Sequence, residues 1–233
     1  MADEVGSKNQ ILSRLSAADA QLVMPHLQPV DLPVLRYLER RGKPIEYAYF
    51  VERGFASVVA DGASERSVEV GLIGREGVTG LAVIMGSDRS PHDTFMQGAG
   101  GGQRIGVANL LGAIGKSATL QKTLLQWCHT FMIQTGQTAL TNARSKIEER
   151  LARWLLMAHD RQDSDQLDLT HEFIATMLGV RRAGVTVALR LLEKRGLIDA
   201  KRGGILVIDR GGLKEVSNGA YGVAEGEYRR ILG

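Results

Sequence analysis

The sequence has a single cysteine, Cys128, among its 233 residues. One thiol cannot form a disulfide within the chain, and it cannot supply the several thiolates that an iron–sulfur cluster requires. Cys128 is therefore either a redox switch or, as is more common for a lone cysteine, a buried and inert thiol.

Long hydrophobic runs and export signals are also absent from the sequence. No stretch of about eighteen apolar residues occurs, and no basic start is followed by an apolar core. We therefore expect a soluble, cytoplasmic protein without a membrane partner. A chain of this length can bury a substantial core and can form two modest domains.

Residue patterns typical of catalysis or metal binding are missing as well. The histidines are scattered without metal-ligand spacing, and no nucleophile stands in a pattern with a base. Glu148 and Glu149 are adjacent on a predicted helix and point to different faces. The stretch Gly98–Gly102 matches neither nucleotide-binding fingerprint, and we expect it to form a flexible hairpin. We predict no enzyme activity, no catalytic residues, no metal site and no cofactor.

Positive charge is concentrated in one segment of the chain. The whole chain carries a formal charge of +3, but the segment from Leu178 to Gly204 holds seven basic and two acidic residues, a net +5. The rest of the chain therefore sums to −2. A basic concentration on one small module is expected of a protein that binds a polyanion.

The N-terminal half has the texture of a β-structure. From Val30 to about Ile105, short alternating stretches are separated by glycines, which predicts strands and tight turns that close into a compact antiparallel barrel or roll. We assign residues 1–115 to this N-terminal domain.

Residues 116–143 are predicted to form one long helix that mediates dimerisation. Apolar positions alternate at spacings of four and three over about three heptads, as in a coiled coil. The predicted interface residues are Leu120, Leu124, Trp127, Phe131, Gln134 and Thr138. Replacing Phe131 with Glu should then give a monomer. The alternative is a single helix that lies on its own barrel.

The stretch "HEFIATMLGVRRAGVTVALR", His171 to Arg190, has the pattern of a helix-turn-helix. Thr170 stands at the N-cap of the first helix, and Gly179 allows this helix to end abruptly. A second helix begins near Arg181, and the small Ala175 lets it approach closely. Its inner face is formed by Val185, Ala188, Leu189 and Leu192.

The outer face of the second helix carries Arg182, Thr186 and Arg190. An arginine there can bind a guanine edge in the major groove or hold a phosphate. The following β-rich runs are joined through Lys201 and Arg202, in the position of a wing. A plain helical hairpin with a solvated charged face is the alternative, but spacing, charge and wing together favour DNA binding. Within a domain at 144–233, the predicted DNA-binding residues are Thr170, Arg181, Arg182, Thr186, Arg190, Lys201 and Arg202.

This order of parts resembles the Crp/Fnr family of bacterial transcription regulators. The matches lie in "GKPIEYAYFVERGFASVV", "SVEVGLIGREGVTGL" and "LTHEFIATMLGVRRAGVTVALRLLEKRGLI". The resemblance implies an α+β fold with an N-terminal double-stranded β-roll like the cyclic-nucleotide-binding jelly roll, a long dimerisation helix and a C-terminal winged helix-turn-helix. It also implies a homodimer that regulates transcription at a two-fold-related site in double-stranded DNA, with RNA polymerase as a partner.

The sequence departs from the family pattern in two places. Arg182 matches the family's first base-contacting arginine, but Ala183 and Val187 stand where the cyclic AMP receptor protein has a glutamate and a further arginine, so base preference should differ. The family's iron–sulfur type of oxygen sensor is excluded by the single cysteine.

The second departure concerns the effector. Arg89 and Ser90 fall within a residue of the pair that would hold a cyclic phosphate, but Pro91 follows at once and Thr79 falls near the place of the family's glutamate. A buried phosphate without its partners is poorly compensated, so we expect no response to cyclic AMP, and the effector stays unidentified. The alternative is a cyclic-nucleotide receptor that acts through a protein partner.

Overall fold

The computed structural model describes residues 7–61, 67–201 and 203–233. The chain divides into two compact units, one formed by residues 1–57 and 73–129 and the other by residues 58–72 and 130–233. The predicted α+β class is confirmed, with an antiparallel sheet, a long helix and a C-terminal helix-turn-helix. These units differ in extent from the predicted domains, which stay a prediction: the described residues at 58–61 and 67–72 group with the C-terminal part of the chain.

Five strands form one sheet in the order β1-β5-β3-β4, with β2 also paired to β5. The pairs β1–β5 and β2–β5 are antiparallel. These strands are β1 (Gln28–Leu32), β2 (Tyr37–Glu39), β3 (Tyr47–Asp61), β4 (Ser67–Ile73) and β5 (Asp93–Gly106).

The glycine-rich stretch is part of a strand, so the predicted flexible hairpin is wrong. Gly100 and Gly102 lie in β5, where Gly102 pairs with Val30 of β1. A Cβ atom on either glycine would collide with the backbone of β3, at Arg53 or Phe50 respectively. Because Gly100 and Gly102 have no side chain, β5 can lie close to the backbone of β3.

The first unit also contains helices. They are α1 (Ala17–Val23), α2 (Leu81–Ile84), α3 (Val107–Ile114) and the first part of α4 (Ala118–Arg144), with 3-10 turns at Leu12–Arg14 and Met24–His26. Trp127 of α4 is 1% exposed, packs on Gly77, and donates its indole N–H to the Val78 carbonyl at 2.9 Å. The next residue, Cys128, is also buried, and burial raises the pKa of its thiol to about 12. The thiol is protonated at neutral pH, as expected of an inert cysteine.

The predicted dimer stripe on α4 is covered by the chain itself. Leu120, Leu124, Trp127, Phe131 and Gln134 are all buried. Within the second unit, the Gln134 side-chain oxygen accepts a hydrogen bond from the Leu72 N–H at 2.6 Å, and its Nε2 donates to the Leu72 carbonyl at 3.2 Å. A Cβ on Gly71 would lie 2.7 Å from the Phe131 ring. Thr138 is half-buried and donates to the Gln134 carbonyl.

The dimer interface at these residues stays a prediction, and their burial within one chain weighs against it. Bulky apolar side chains at heptad spacing indicate burial, and here the covering surface is the chain's own strands. The contacts of Trp127, Phe131 and Gln134 favour the alternative of a helix that lies on its own chain.

The second unit holds the remaining elements, including a three-stranded sheet in the order β6-β8-β7. The helices are α5 (Ile147–His159), α6 (His171–Leu178), α7 (Arg182–Lys194), α8 (Arg210–Val216) and α9 (Val223–Leu232), and the strands are β6 (Gln166–Leu167), β7 (Ile198–Lys201) and β8 (Gly204–Val207). Within the described ranges, no helix combines the length and the hydropathy that a membrane span needs.

Strand β4 is anchored to the helices of the second unit. The indole N–H of Trp154 in α5 donates to the buried carboxylate of Glu69 at 2.8 Å. A Cβ on Gly179, at the end of α6, would lie 3.2 Å from a methyl group of Val68. Contacts that are distant in sequence thus hold β4 against α5 and the end of α6.

Candidate nucleic-acid interface

Helix α6 begins and ends as the sequence predicts. The Thr170 hydroxyl caps it by accepting the Phe173 N–H at 3.2 Å. Gly179 follows the helix with φ 61° and ψ 35°, the left-handed conformation that glycine adopts without a steric penalty. The N–H of Val180 closes the turn on the Ala175 carbonyl at 3.0 Å. The chain is thereby turned into α7 within three residues.

Helix α7 has one buried and one exposed face. Val185, Ala188, Leu189 and Leu192 are buried, as predicted. At 100° per residue, the positions opposite this buried stripe are Ala183, Val187, Arg190 and Lys194, with Arg182 and Thr186 on one flank. All except the half-buried Thr186 are exposed to solvent.

The arginines of α7 are available to a ligand. Arg181 occupies the N-cap position, and both Arg181 and Arg190 are exposed. The Arg182 Nε lies 3.9 Å from a carboxylate oxygen of Glu172, and both side chains are more than two-thirds exposed. Such a surface pair contributes little to stability, so Arg182 can leave Glu172 for a better acceptor.

Thr186 is engaged by the protein itself. Its Oγ1 lies 3.2 Å from the Arg182 carbonyl and 3.2 Å from Nδ1 of His171. A DNA contact from the Thr186 hydroxyl would replace one of these partners. His171, the first residue of α6, was not foreseen near this surface, because a single histidine without metal spacing carries no pattern.

The wing is a tight hairpin. Lys201 of β7 pairs with Gly204 of β8, and Gly203 has φ 86°. The Lys201 ammonium lies 2.9 Å from Asp199, which raises the pKa of Lys201. The other acid of the basic segment, Glu193, accepts the Ala200 N–H at 3.2 Å. The predicted contact residue Arg202 lies outside the described residues.

A second stripe runs along the exposed side of α4. Its eight positions alternate at spacings of four and three, and all are exposed: Ala118, Lys122, Leu125, His129, Met132, Gly136, Ala139 and Ala143. Met132 is 62% exposed. Small residues at the last three positions allow a facing helix to approach closely. We call this set the outer stripe; sequence analysis missed it because only two of its members are large and apolar.

The candidate effector residues lie on the surface. The Arg89 side chain is 54% exposed and makes two hydrogen bonds to Asp88, at 2.9 and 2.8 Å. The Ser90 hydroxyl accepts the His92 N–H at 3.1 Å. A phosphate bound by Arg89 would compete with Asp88 for this exposed side chain.

The place expected for a glutamate is occupied by the buried Thr79, whose hydroxyl accepts the Tyr49 N–H at 3.0 Å. A buried carboxyl does lie nearby, that of Glu39, which accepts the Gly80 N–H at 2.6 Å. Burial raises the pKa of Glu39. This carboxyl is bound to the backbone of the roll, and sequence analysis did not identify it.

Comparison with known proteins agrees with this geometry. Residues 149–216 match the Crp-like helix-turn-helix domain. The fold is similar to that of a transcriptional regulator assigned to the crp/fnr family from Eubacterium rectale, with a TM-score of 0.72 and 18% identity over 91% of this chain and 100% of that one. No curated protein sequence matches the chain significantly.

Two further structures are similar. FixK2 from Bradyrhizobium japonicum has a TM-score of 0.70 and 18% identity, and the match covers 82% of this chain and 96% of that one. TTHB099, a CRP-family transcriptional regulator from Thermus thermophilus, has a TM-score of 0.68 and 16% identity, covering 83% and 98%. The chain therefore carries a Crp-like helix-turn-helix domain within a fold shared with Crp/Fnr regulators.

Proposed function

We propose that the protein is a sequence-specific, DNA-binding transcription regulator of the Crp/Fnr type, that it acts in the cytoplasm, and that it has no enzyme activity. The observation that carries this proposal is the exposed face of α7, where Arg182 and Arg190 stand clear of the buried stripe. The match to the Crp-like helix-turn-helix domain supports it. In this arrangement Arg182 contacts a guanine edge, while Arg181, Arg190 and the wing residues Lys201 and Arg202 hold phosphates. Thr170 adds a contact at the N-terminus of α6.

The protein is proposed to act as a homodimer through the outer stripe of α4. The heptad spacing of this stripe supports the proposal, since two such helices can pack side by side. A two-fold dimer binds two half-sites about one helical turn apart, roughly 34 Å. By the same resemblance, RNA polymerase is the protein partner.

Selection of bound sequences from a random pool of double-stranded DNA tests the function directly. We expect enrichment of a site with two-fold symmetry, and binding that weakens steeply as the salt concentration rises. Absence of any enriched sequence would reject the proposal and would favour a module that acts through a protein partner.

The N-terminal domain is proposed not to respond to cyclic AMP. The pairing of Arg89 with Asp88 and the threonine at position 79 support this proposal. We expect calorimetry with cyclic AMP to detect no binding at micromolar concentration, and DNA binding to be measurable without added nucleotide. A micromolar dissociation constant that Arg89→Ala abolishes would contradict the proposal, and Asp88→Ala serves as the control that leaves the arginine in place.

A further inference from the structure

Two apolar side chains stand at the centre of the exposed face of α7. Val187 is 57% exposed, and Ala183 lies one turn before it on the same face. Both stand opposite the buried stripe, whereas Arg182 lies to one side. They thus lie on the face of α7 that is turned away from its buried stripe.

The exposed Val187 keeps its apolar surface in water in the free protein. It cannot make a hydrogen bond, and leaving its apolar surface in water forgoes the free energy of burial. A charged or polar residue would be the ordinary choice for a solvated helix face. The position therefore suits a ligand with an apolar group of its own.

The major groove of DNA presents one apolar group, the C5-methyl of thymine, beside the hydrogen-bonding edges of the bases. We propose that Val187 and Ala183 contact thymine methyl groups in each half-site, next to the guanine that Arg182 binds. This inference rests on the proposed DNA-binding function and specifies which bases the site prefers.

The geometry of the helix limits where these thymines lie. Four residues span about 6 Å along a helix, and base pairs are about 3.4 Å apart, so the methyl groups that contact Ala183 and Val187 lie within about two base-pair steps. A β-branched side chain in a helix keeps essentially one rotamer. Val187 therefore presents its methyl groups in a fixed position and loses little side-chain entropy on binding.

The test uses the full-length protein and the site obtained by selection. Each thymine of the half-site is replaced in turn by deoxyuridine, which removes the C5-methyl and keeps every hydrogen-bonding group. For the unaltered protein, one such replacement should weaken binding about fourfold per half-site, the value of one buried methyl group. The Val187→Ala protein should bind the unmodified site more weakly and should lose most of this sensitivity.

Leu191→Ala is the matched control. Leu191 is also an exposed apolar residue of α7, but it lies towards the flank of the outer face. This variant should keep the full deoxyuridine effect. Light scattering and thermal unfolding should be the same for all three proteins, because both side chains are exposed.

The inference and the proposed function fail in different ways. If no DNA sequence is selected, the function itself fails. If a site is selected and depends on Arg182, but deoxyuridine at every thymine leaves binding unchanged, only the methyl contact is overturned. Equal deoxyuridine effects in the unaltered and Val187→Ala proteins overturn it as well. So does a change in the oligomeric state of Val187→Ala, seen by light scattering.

Discussion

Replacement of Met132 with Glu should convert the proposed dimer to a monomer and weaken binding to a two-fold DNA site by about 10²- to 10⁴-fold. Met132 lies in the middle of the outer stripe and is among the most exposed apolar side chains in the described part of the chain. In a dimer, two carboxylates would face each other in an apolar interface, where an unpaired charge is strongly disfavoured. A monomer then binds one half-site at a time and loses the gain from simultaneous binding of both.

Light scattering at micromolar concentration and titration of the selected site measure the two effects. Met85→Glu is the control, because Met85 is similarly exposed, follows α2 and is not a member of the outer stripe; this variant should remain a dimer. Phe131→Glu should behave differently from Met132→Glu, since it places a carboxylate against Gly71 inside the chain and should lower the unfolding temperature. A Met132→Glu protein that stays dimeric would rule out the outer stripe.

Replacement of Arg182 with Ala should cost about 1 to 3 kcal/mol per half-site and remove the preference at one symmetric base-pair position. Arg182 is exposed, and its only described ion pair is the long one with Glu172, so no other strong contact is lost with it. The folded structure should be unchanged. Titration of the selected site and of its single-base variants measures the effect.

Lys201→Ala is the contrasting variant. Lys201 lies in the wing, three-quarters exposed, and its proposed contact is to phosphate. Its loss should weaken binding to all DNA sequences to a similar extent. It should also reduce the salt dependence of binding by about one released counterion per half-site. If Arg182→Ala instead weakens binding to every DNA sequence equally, then Arg182 holds a phosphate and another residue contacts the bases.

The helix-turn-helix could be predicted from the sequence because its determinants are local. Thr170 caps α6 three residues from its partner, and Gly179 ends the helix through its own backbone conformation. The inner face of α7 follows from helical periodicity. Each of these features depends on residues within one or two turns of each other.

The partner of α4 could not be predicted in the same way. The helix has two stripes at heptad spacing, and hydrophobicity identifies the one with Trp127 and Phe131 as buried without identifying the surface that buries it. Trp127 is covered by residues 77 and 78, about fifty positions earlier in the chain. The outer stripe has small and polar members, so composition alone does not mark it.

Because β4 packs with residues of the second unit, some of its contacts can form only late in synthesis. Glu69 and its partner Trp154 are 85 residues apart, and ribosomes add about 5 to 20 residues per second, so the strand leaves the ribosome roughly 4 to 17 s before its partner. During that interval the first unit can fold, because its residues 73–129 are synthesised before Trp154. The edge of β4 meanwhile lacks its contacts with the second unit. Folding of the DNA-binding part is thus coupled to arrival of the C-terminal third of the chain, and translational pauses between residues 72 and 154 should lengthen the time in which nascent chains can aggregate through this edge.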